Sequence, residues 1–416
     1  MIPRHRPSFG MGHLVYQFLL GMFPAKIEAA EEIWATRLKV PHAIWVPSGR
    51  YAICRSLEFA TSDECTVYTP AFTCGVVREA VRRSGRRLKL MDSEQNGLLM
   101  SGNADRSATR HDAVILSEVY GLRYSDSDLP TALIDAGMRI FDMAMSVPTQ
   151  NDMQRLRKSD VAIVSFGLGK PLYAGWGGLL LTHDQQMADW MRAQRCIDLA
   201  PKRLVRSIRQ NAELLLRSAA HVPACYALIR TLQDRLRRGS SPVIADGNSA
   251  DDQLPPMSRD WSHGPTSLHL TLASNLARGT DRIISQRRQL FRSYETLLFP
   301  DSSVPVPDAA FSHYPIRVPG LHRDTLRAEL WENGIDTATL FEFPRGERPE
   351  SFPNAHRHSH EILALPLWNS LPVQAIATAC RVIRDFCLKN QISISPFHWP
   401  GEIESDRKLV DRQSAA

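Results

Sequence analysis

The sequence predicts an α/β protein, with a mainly parallel central sheet in a large domain and a smaller α+β domain after it. Three observations carry this. From about residue 40 to 182, short apolar runs alternate with amphipathic segments. From about residue 300 the pattern resets to one strand-like run followed by helix-like segments. The length of 416 residues suits one large domain plus a smaller one.

Taken in order, "HAIWVPS" reads as a strand and "GRYAICRSLEFA" as a helix; "CTVYTP" reads as a strand and "CGVVREAVRRSG" as a helix. "RLKLMD", "DAVILSEVYG" and "MRIFDMA" are further strands, with "LPTALIDAG" between the last two. "VAIVSF" and "GGLLLT" close the series on either side of a glycine-rich loop. Residues 184 to 237 read as helical, and "RRGSSPVIADGNSADDQLPPMSRD" as a loop. "TSLHLTLASNLARGTDRIISQRRQLFRSYETLLF" returns to helix. In the final part "HYPIRVPG" reads as a strand, and "RDTLRAELWENG" and "QAIATACRVIRDFCLKN" as helices. The implied domains are 1–295, 296–396 and a polar tail at 397–416.

Composition narrows the class. Fifty basic against 44 acidic residues give +6, spread along the chain. Basic clusters such as "RRSGRRLK" lack interleaved aromatics and read as solvated helix faces, so no nucleic-acid partner is expected. Seven cysteines, with no CxxC pair, argue against a disulfide framework and a metal site and for a reducing cytosol. The apolar run near the N-terminus is broken by His13 and Gln17, and no run of eighteen apolar residues exists.

The stretch "SFGLGKPLYAGWGG" puts one lysine, Lys170, in a loop between two strands. A Walker phosphate loop is excluded, because Val164 stands where its first glycine belongs and Pro171 follows the lysine. A lone loop lysine can instead carry an aldehyde cofactor as a Schiff base. Pyridoxal phosphate then needs an acid for its pyridine nitrogen and donors for its phosphate. Asp142 ends a strand and can supply the acid, although a strand-end aspartate also serves ordinary turns. Ser48 can cap a helix whose first N–H groups, on Gly49 and Arg50, bind phosphate; an ordinary capped helix start reads the same. Ser165, five residues before Lys170, can add a hydroxyl.

Together these segments resemble the DegT/DnrJ/EryC1/StrS family of pyridoxal-phosphate sugar aminotransferases, over roughly residues 25 to 390. "VPSGRYAICRSLE" is similar to the family's phosphate turn, "IFDMAMS" to E-D-A-A-Q/H-S, "SFGLGK" to S-F-x-x-x-K and "GWGGLLLT" to G-x-G-G. "VYTPAFTCGVVREAV", "LSEVYGLRYSDSDL", "YPIRVPG" and "LALPLWNSLP" follow its remaining segments in order. The resemblance implies the type I aminotransferase fold and a cytoplasmic homodimer whose pockets are shared. It also implies transfer of an amino group from a Glu/Gln-like donor to a keto group on a sugar, cyclitol or related intermediate. Residue by residue, it makes Lys170 the Schiff-base lysine and proton shuttle, and Asp142 the pyridine partner. Ser165, Ser48, Gly49 and Arg50 become phosphate contacts.

Several positions depart from the family. Met145 replaces a Gln or His beside the cofactor, and Cys74 an aromatic that stacks on the ring. Phe72 lies two residues from Cys74 and would need a shift of register to take that place. Glu118 replaces the His of H-L-Y-G, and the arginine of N-Y-R-M is missing from "WSHGPTSLHL". An extra helical section lies near 200–240, rich in leucine and arginine. For it, core packing is favoured, then a dimer contact, with membrane contact least. The departures leave two alternatives open: another pyridoxal-phosphate reaction (elimination, decarboxylation or replacement), or a non-catalytic homologue acting as a binding partner.

Overall fold

The computed structural model describes residues 1–397 except 11, 13–15, 17–23, 102–106, 126–127, 201–203, 237–261, 301–308 and 396. The expected loop at 237–260 and the polar tail therefore fall almost wholly outside the described residues.

The chain begins its regular structure with a helix that the sequence pattern did not reveal, α1 (Ile27–Leu38), which buries Trp34 and Leu38. There follow β1 (His42–Val46), α2 (Gly49–Ala60), β2 (Thr66–Pro70), α3 (Gly75–Arg83), β3 (Arg87–Met91) and β4 (Ala113–Ser117). Then come β5 (Met138–Asp142), α4 (Gln150–Gln154), β6 (Val161–Ser165) and β7 (Gly178–Thr182). Seven strands form one sheet in the order β1-β7-β6-β5-β4-β2-β3. β3, β2, β4, β5 and β6 are mutually parallel. β7 runs antiparallel to both β6 and β1, so β1 points the same way as those five. The carboxyl ends of β1, β2, β4, β5 and β6 therefore meet along one edge, where ligands of such sheets bind.

Alternation along the strands sends side chains to two cores. Ile44, Ile115, Ile163 and Leu180 pack with Tyr51, Leu57 and Val81 of α2 and α3. Trp45, Leu116, Val164 and Leu179 pack into the larger core on the other face. Between β4 and β5 the described residues hold only short turns, including a 3₁₀ turn at Thr131–Leu133, because Pro130 and Gly137 bracket a segment too short for a helix.

The region read as one helical stretch is three helices: α5 (Gln185–Asp198), α6 (Leu204–Ala220) and α7 (Pro223–Leu236). The second break coincides with Pro223, which opens α7 and cannot continue the helix before it. α8 (Ser267–Arg278) and α9 (Thr280–Leu298) lead to a second layer of β8 (His313–Arg317), α10 (Gly320–Glu332), α11 (Pro353–Glu361), β9 (Ile362–Pro366) and α12 (Val373–Asn390). β8 and β9 form a two-stranded antiparallel sheet.

The expected core packing holds only for one edge of α6–α7. Leu214 and Tyr226 are buried, but Leu204, Val205, Ile208, Leu216, Leu228 and Leu232 are exposed. Among the described residues no helix is long and apolar enough to cross a membrane.

Candidate active site

Every residue proposed from sequence sits at or just past the carboxyl edge of the large sheet. Ser48 follows β1 and caps α2, its Oγ accepting from the N–H of Tyr51 at 3.2 Å. The first turn of a helix leaves N–H groups without intrahelical acceptors, and Gly49 and Arg50 supply them here. A Cβ on Gly49 would touch only Ile163 Cγ2, at 3.5 Å, so a group can approach this backbone closely. Ser165 ends β6, with its Oγ 3.4 Å from the N–H of Gly167.

Asp142 ends β5, between β4 and β6. Burial raises its pKa; the charge of Lys170 and the N–H of Ala144, 3.2 Å from Oδ1, act in the other direction. Lys170 lies in the loop from β6 to β7, held by its own N–H to the carbonyl of Gly167 at 3.3 Å. A buried carboxylate that feels a lysine's charge, with a capped helix end nearby, fits a pyridinium ring carrying a phosphate.

The departures from the family cluster around Asp142. Glu118 is buried, and its Oε2 accepts from Ser146 Oγ at 2.5 Å, while its N–H donates to the Asp142 carbonyl at 3.0 Å. Burial, followed by the charge of Asp152, pushes the Glu118 carboxyl up to about 8, with Arg123 opposing. Two residues on, Tyr120 adopts φ 57°, and Gly121 follows at φ 94°. A Cβ on Gly121 would sit 2.7 Å from the Met145 carbonyl oxygen and 2.8 Å from that of Ala310, so only glycine fits. Met145 is thus buried where two layers meet.

Phe72 does not take the place of the missing stacking aromatic. It makes an edge contact with Phe341 at 5.2 Å and with His358 at 5.4 Å, which commits it to the junction between layers. Cys74 remains at the start of α3, half-buried.

Two features had little sequence signal. The segment 2–9 straps the lysine loop to the second layer. Ser8 Oγ donates to the Pro171 carbonyl at 2.9 Å, and Phe9 stacks on Tyr173 at 5.9 Å. Trp368 Nε1 donates to the Pro3 carbonyl at 2.9 Å. Secondly, α6 lies against the lysine loop. A Cβ on Gly175 would meet Leu214 Cδ1 at 2.6 Å, and Trp176, Glu213, Arg217 and His269 help line a small cleft there. One polar side chain in the second layer was also missed: His313, buried on β8. A histidine inside the apolar run "HYPI" was the only hint.

Residues 21–210 match the model of the DegT/DnrJ/EryC1/StrS aminotransferase family. Over that span the chain is similar to this family. The wider fold agrees. An aminotransferase of the same family from Brucella abortus superposes with a TM-score of 0.65 at 18% identity, covering 90% of this chain and 94% of that one. The sugar aminotransferase CalS13 from Micromonospora echinospora gives 0.65 at 16% identity, covering 92% and 100%. A Streptococcus pneumoniae protein assigned as a sugar aminotransferase, in its PMP form, gives 0.66 at 12% identity, covering 94% and 100%. The fold is that of type I pyridoxal-phosphate aminotransferases.

Proposed function

We propose that this protein is a pyridoxal-phosphate aminotransferase, which takes an amino group from a glutamate- or glutamine-like donor and passes it to a keto group on a sugar, cyclitol or related biosynthetic intermediate. The observation that carries the reading is the placement of Lys170 within electrostatic reach of the buried Asp142, at the edge of the sheet where the helix end of Gly49 also lies. The sugar or cyclitol acceptor rests on the family match and on relatives described as sugar aminotransferases.

When bound, pyridoxal phosphate supplies an electron sink for negative charge developing on the substrate carbon. The residues do the rest. Lys170 Nζ would be the attachment point and would hold and move the proton at that carbon. Asp142 keeps the pyridine nitrogen protonated by charge, an effect strengthened by its removal from water. Ser48, Ser165 and the N–H groups of Gly49 and Arg50 hold the phosphate through the end of α2. Met145 and Cys74 would offer the ring soft apolar contacts. The decisive test is spectral: glutamate should convert the lysine-bound form of the cofactor to the pyridoxamine form. Ammonia release without that conversion would indicate elimination instead.

The proposal extends to a homodimer, which would exclude water from the pocket. The exposed row Leu204, Ile208 and Leu216 follows a four-residue spacing along α6, and Leu228 and Leu232 continue it on α7. A second copy covering this face would bury it in a closed two-fold interface. Light scattering should give a mass near twice 46.8 kDa, and Ile208→Asp with Leu216→Asp should lower it. A fully active monomer would defeat the dimer.

A further inference from the structure

The chemistry above leaves His313 without a task, yet its setting is costly. The ring is 2% exposed, on β8 opposite Pro366. Its Nδ1 lies 3.2 Å from Ser312 Oγ, while Nε2 is buried with no hydrogen-bond partner among the described residues. A buried polar group left unpaired is destabilising, and such groups in folded proteins call for an explanation.

The position of the ring supplies one. The N–H of Ser312 donates to the Tyr120 carbonyl at 2.7 Å, and Ala310 and Phe311 abut Gly121. The segment 310–313 thus rests on the turn after β4, beside Asp142 and Met145. On the other side, Trp368 lies two residues beyond Pro366 and holds Pro3, which brings Arg4 to the same region. Arg4 Nε is 3.9 Å from Asp336 Oδ2. Arg287 is buried with no carboxylate partner among the described residues, and donates to the carbonyls of Phe311, Ser312 and Leu367 and to Asn369 Oδ1. The charged groups acting on the imidazole are Arg287, Arg4 and Lys170, all cations. Burial, and after it these cations, hold the ring neutral, with a pKa of about 3. A neutral imidazole with one idle nitrogen in a positive field is suited to an anionic oxygen.

We propose that His313 Nε2 donates a hydrogen bond to a carboxylate of the amino donor, with Arg4 supplying charge beside it. In this arrangement Ser312 Oγ donates to Nδ1, which places the ring proton on Nε2. His313 is then a substrate contact that selects carboxylate-bearing donors. The inference rests on the aminotransferase reading above.

Glutarate, a dicarboxylate with no amino group, isolates binding from turnover. The cofactor-loaded enzyme should bind it in calorimetric titration. His313→Leu should raise the glutarate Kd and the glutamate KM about tenfold, ~1.4 kcal/mol, with kcat nearly unchanged, as for loss of uniform binding. His313→Gln, whose amide nitrogen can take the place of Nε2, should recover most of the affinity. If His313→Leu melts early, Arg4→Leu on the N-terminal strap should give the same Kd shift. A folded His313→Leu enzyme that binds glutarate as tightly as wild type overturns the inference alone. Wild-type protein that converts no amino donor at all overturns the aminotransferase reading and this inference with it.

Discussion

The two walls of the site carry opposite chemistry under the same constraint. The sheet edge presents buried carboxyls, Asp142 and Glu118, and burial raises the pKa of both. The second layer presents a buried guanidinium and imidazole, Arg287 and His313, and burial lowers both, to about 9 and about 3. Each wall therefore resists its own charge until something opposite arrives. In the proposed site a pyridinium would meet that need at the acidic wall and a donor carboxylate at the basic one. Lys170 acts on both walls, since its charge bears on Asp142 and on His313.

The largest effect should come from removing the group shared by the two walls. Lys170→Ala should abolish the absorbance of the lysine-bound cofactor and reduce turnover to background, because no other side chain is proposed to hold the cofactor or move the proton. Turnover at a wild-type rate would place the chemistry elsewhere. Next comes the acidic wall. Asp142→Asn keeps the shape of the side chain but cannot hold a pyridinium proton by charge. A fall in kcat on the order of 10³-fold is expected, in line with the loss of a preorganised charge in a dry site. Stopped-flow rates for the glutamate half-reaction measure it directly, and unchanged rates would show that another group serves the pyridine nitrogen.

These two walls were unequally legible in the sequence. The acidic wall was readable because its residues end strands: "IFD" and "VAIVS" carry the strand pattern up to Asp142 and Ser165, and the helix start after "VPS" is a local signal. The strands β1, β2, β4 and β5 and the helix α2 followed from alternation and capping for the same reason. The basic wall is assembled from residues far apart in the chain. Arg4, Arg287, His313 and Trp368 meet only through tertiary contacts such as Trp368 to Pro3, which no spacing encodes. α1 was missed because its helical pattern lies outside the strand–helix alternation. The exposed face of α6 was misjudged because leucines at helical spacing look alike whether they face a core or a partner. The strain at Tyr120 was hidden too, since a non-glycine residue at positive φ leaves no mark in the sequence.

The smallest predicted effect tests the acidic wall without touching the proposed chemistry. Glu118 lies beside Asp142 but has its own partner, Ser146, so its substitution should register first in stability. The folded carboxyl keeps its proton up to about pH 8, whereas the unfolded one loses it near the ordinary value of 4.5. Its pKa is raised on folding. The stability associated with that proton is therefore fully present below about pH 4.5 and is lost as pH rises through 8. Glu118→Gln keeps an oxygen for the Ser146 hydroxyl and never ionises. In cofactor-free protein the variant should match wild type at pH 4 and melt higher at pH 8.5, by roughly 1–2 °C if one to two kcal/mol are recovered. The gap should open steadily between those values and level off above the folded pKa. Arg123 works against this trend, because it favours the ionised form and is itself engaged by Asp152 at 3.3 Å. A variant that gains the same amount at every pH would mean that packing, not the proton, sets the cost of Glu118. A variant that loses stability as pH rises would mean that the carboxylate is the form the wall prefers, reversing the comparison for this residue.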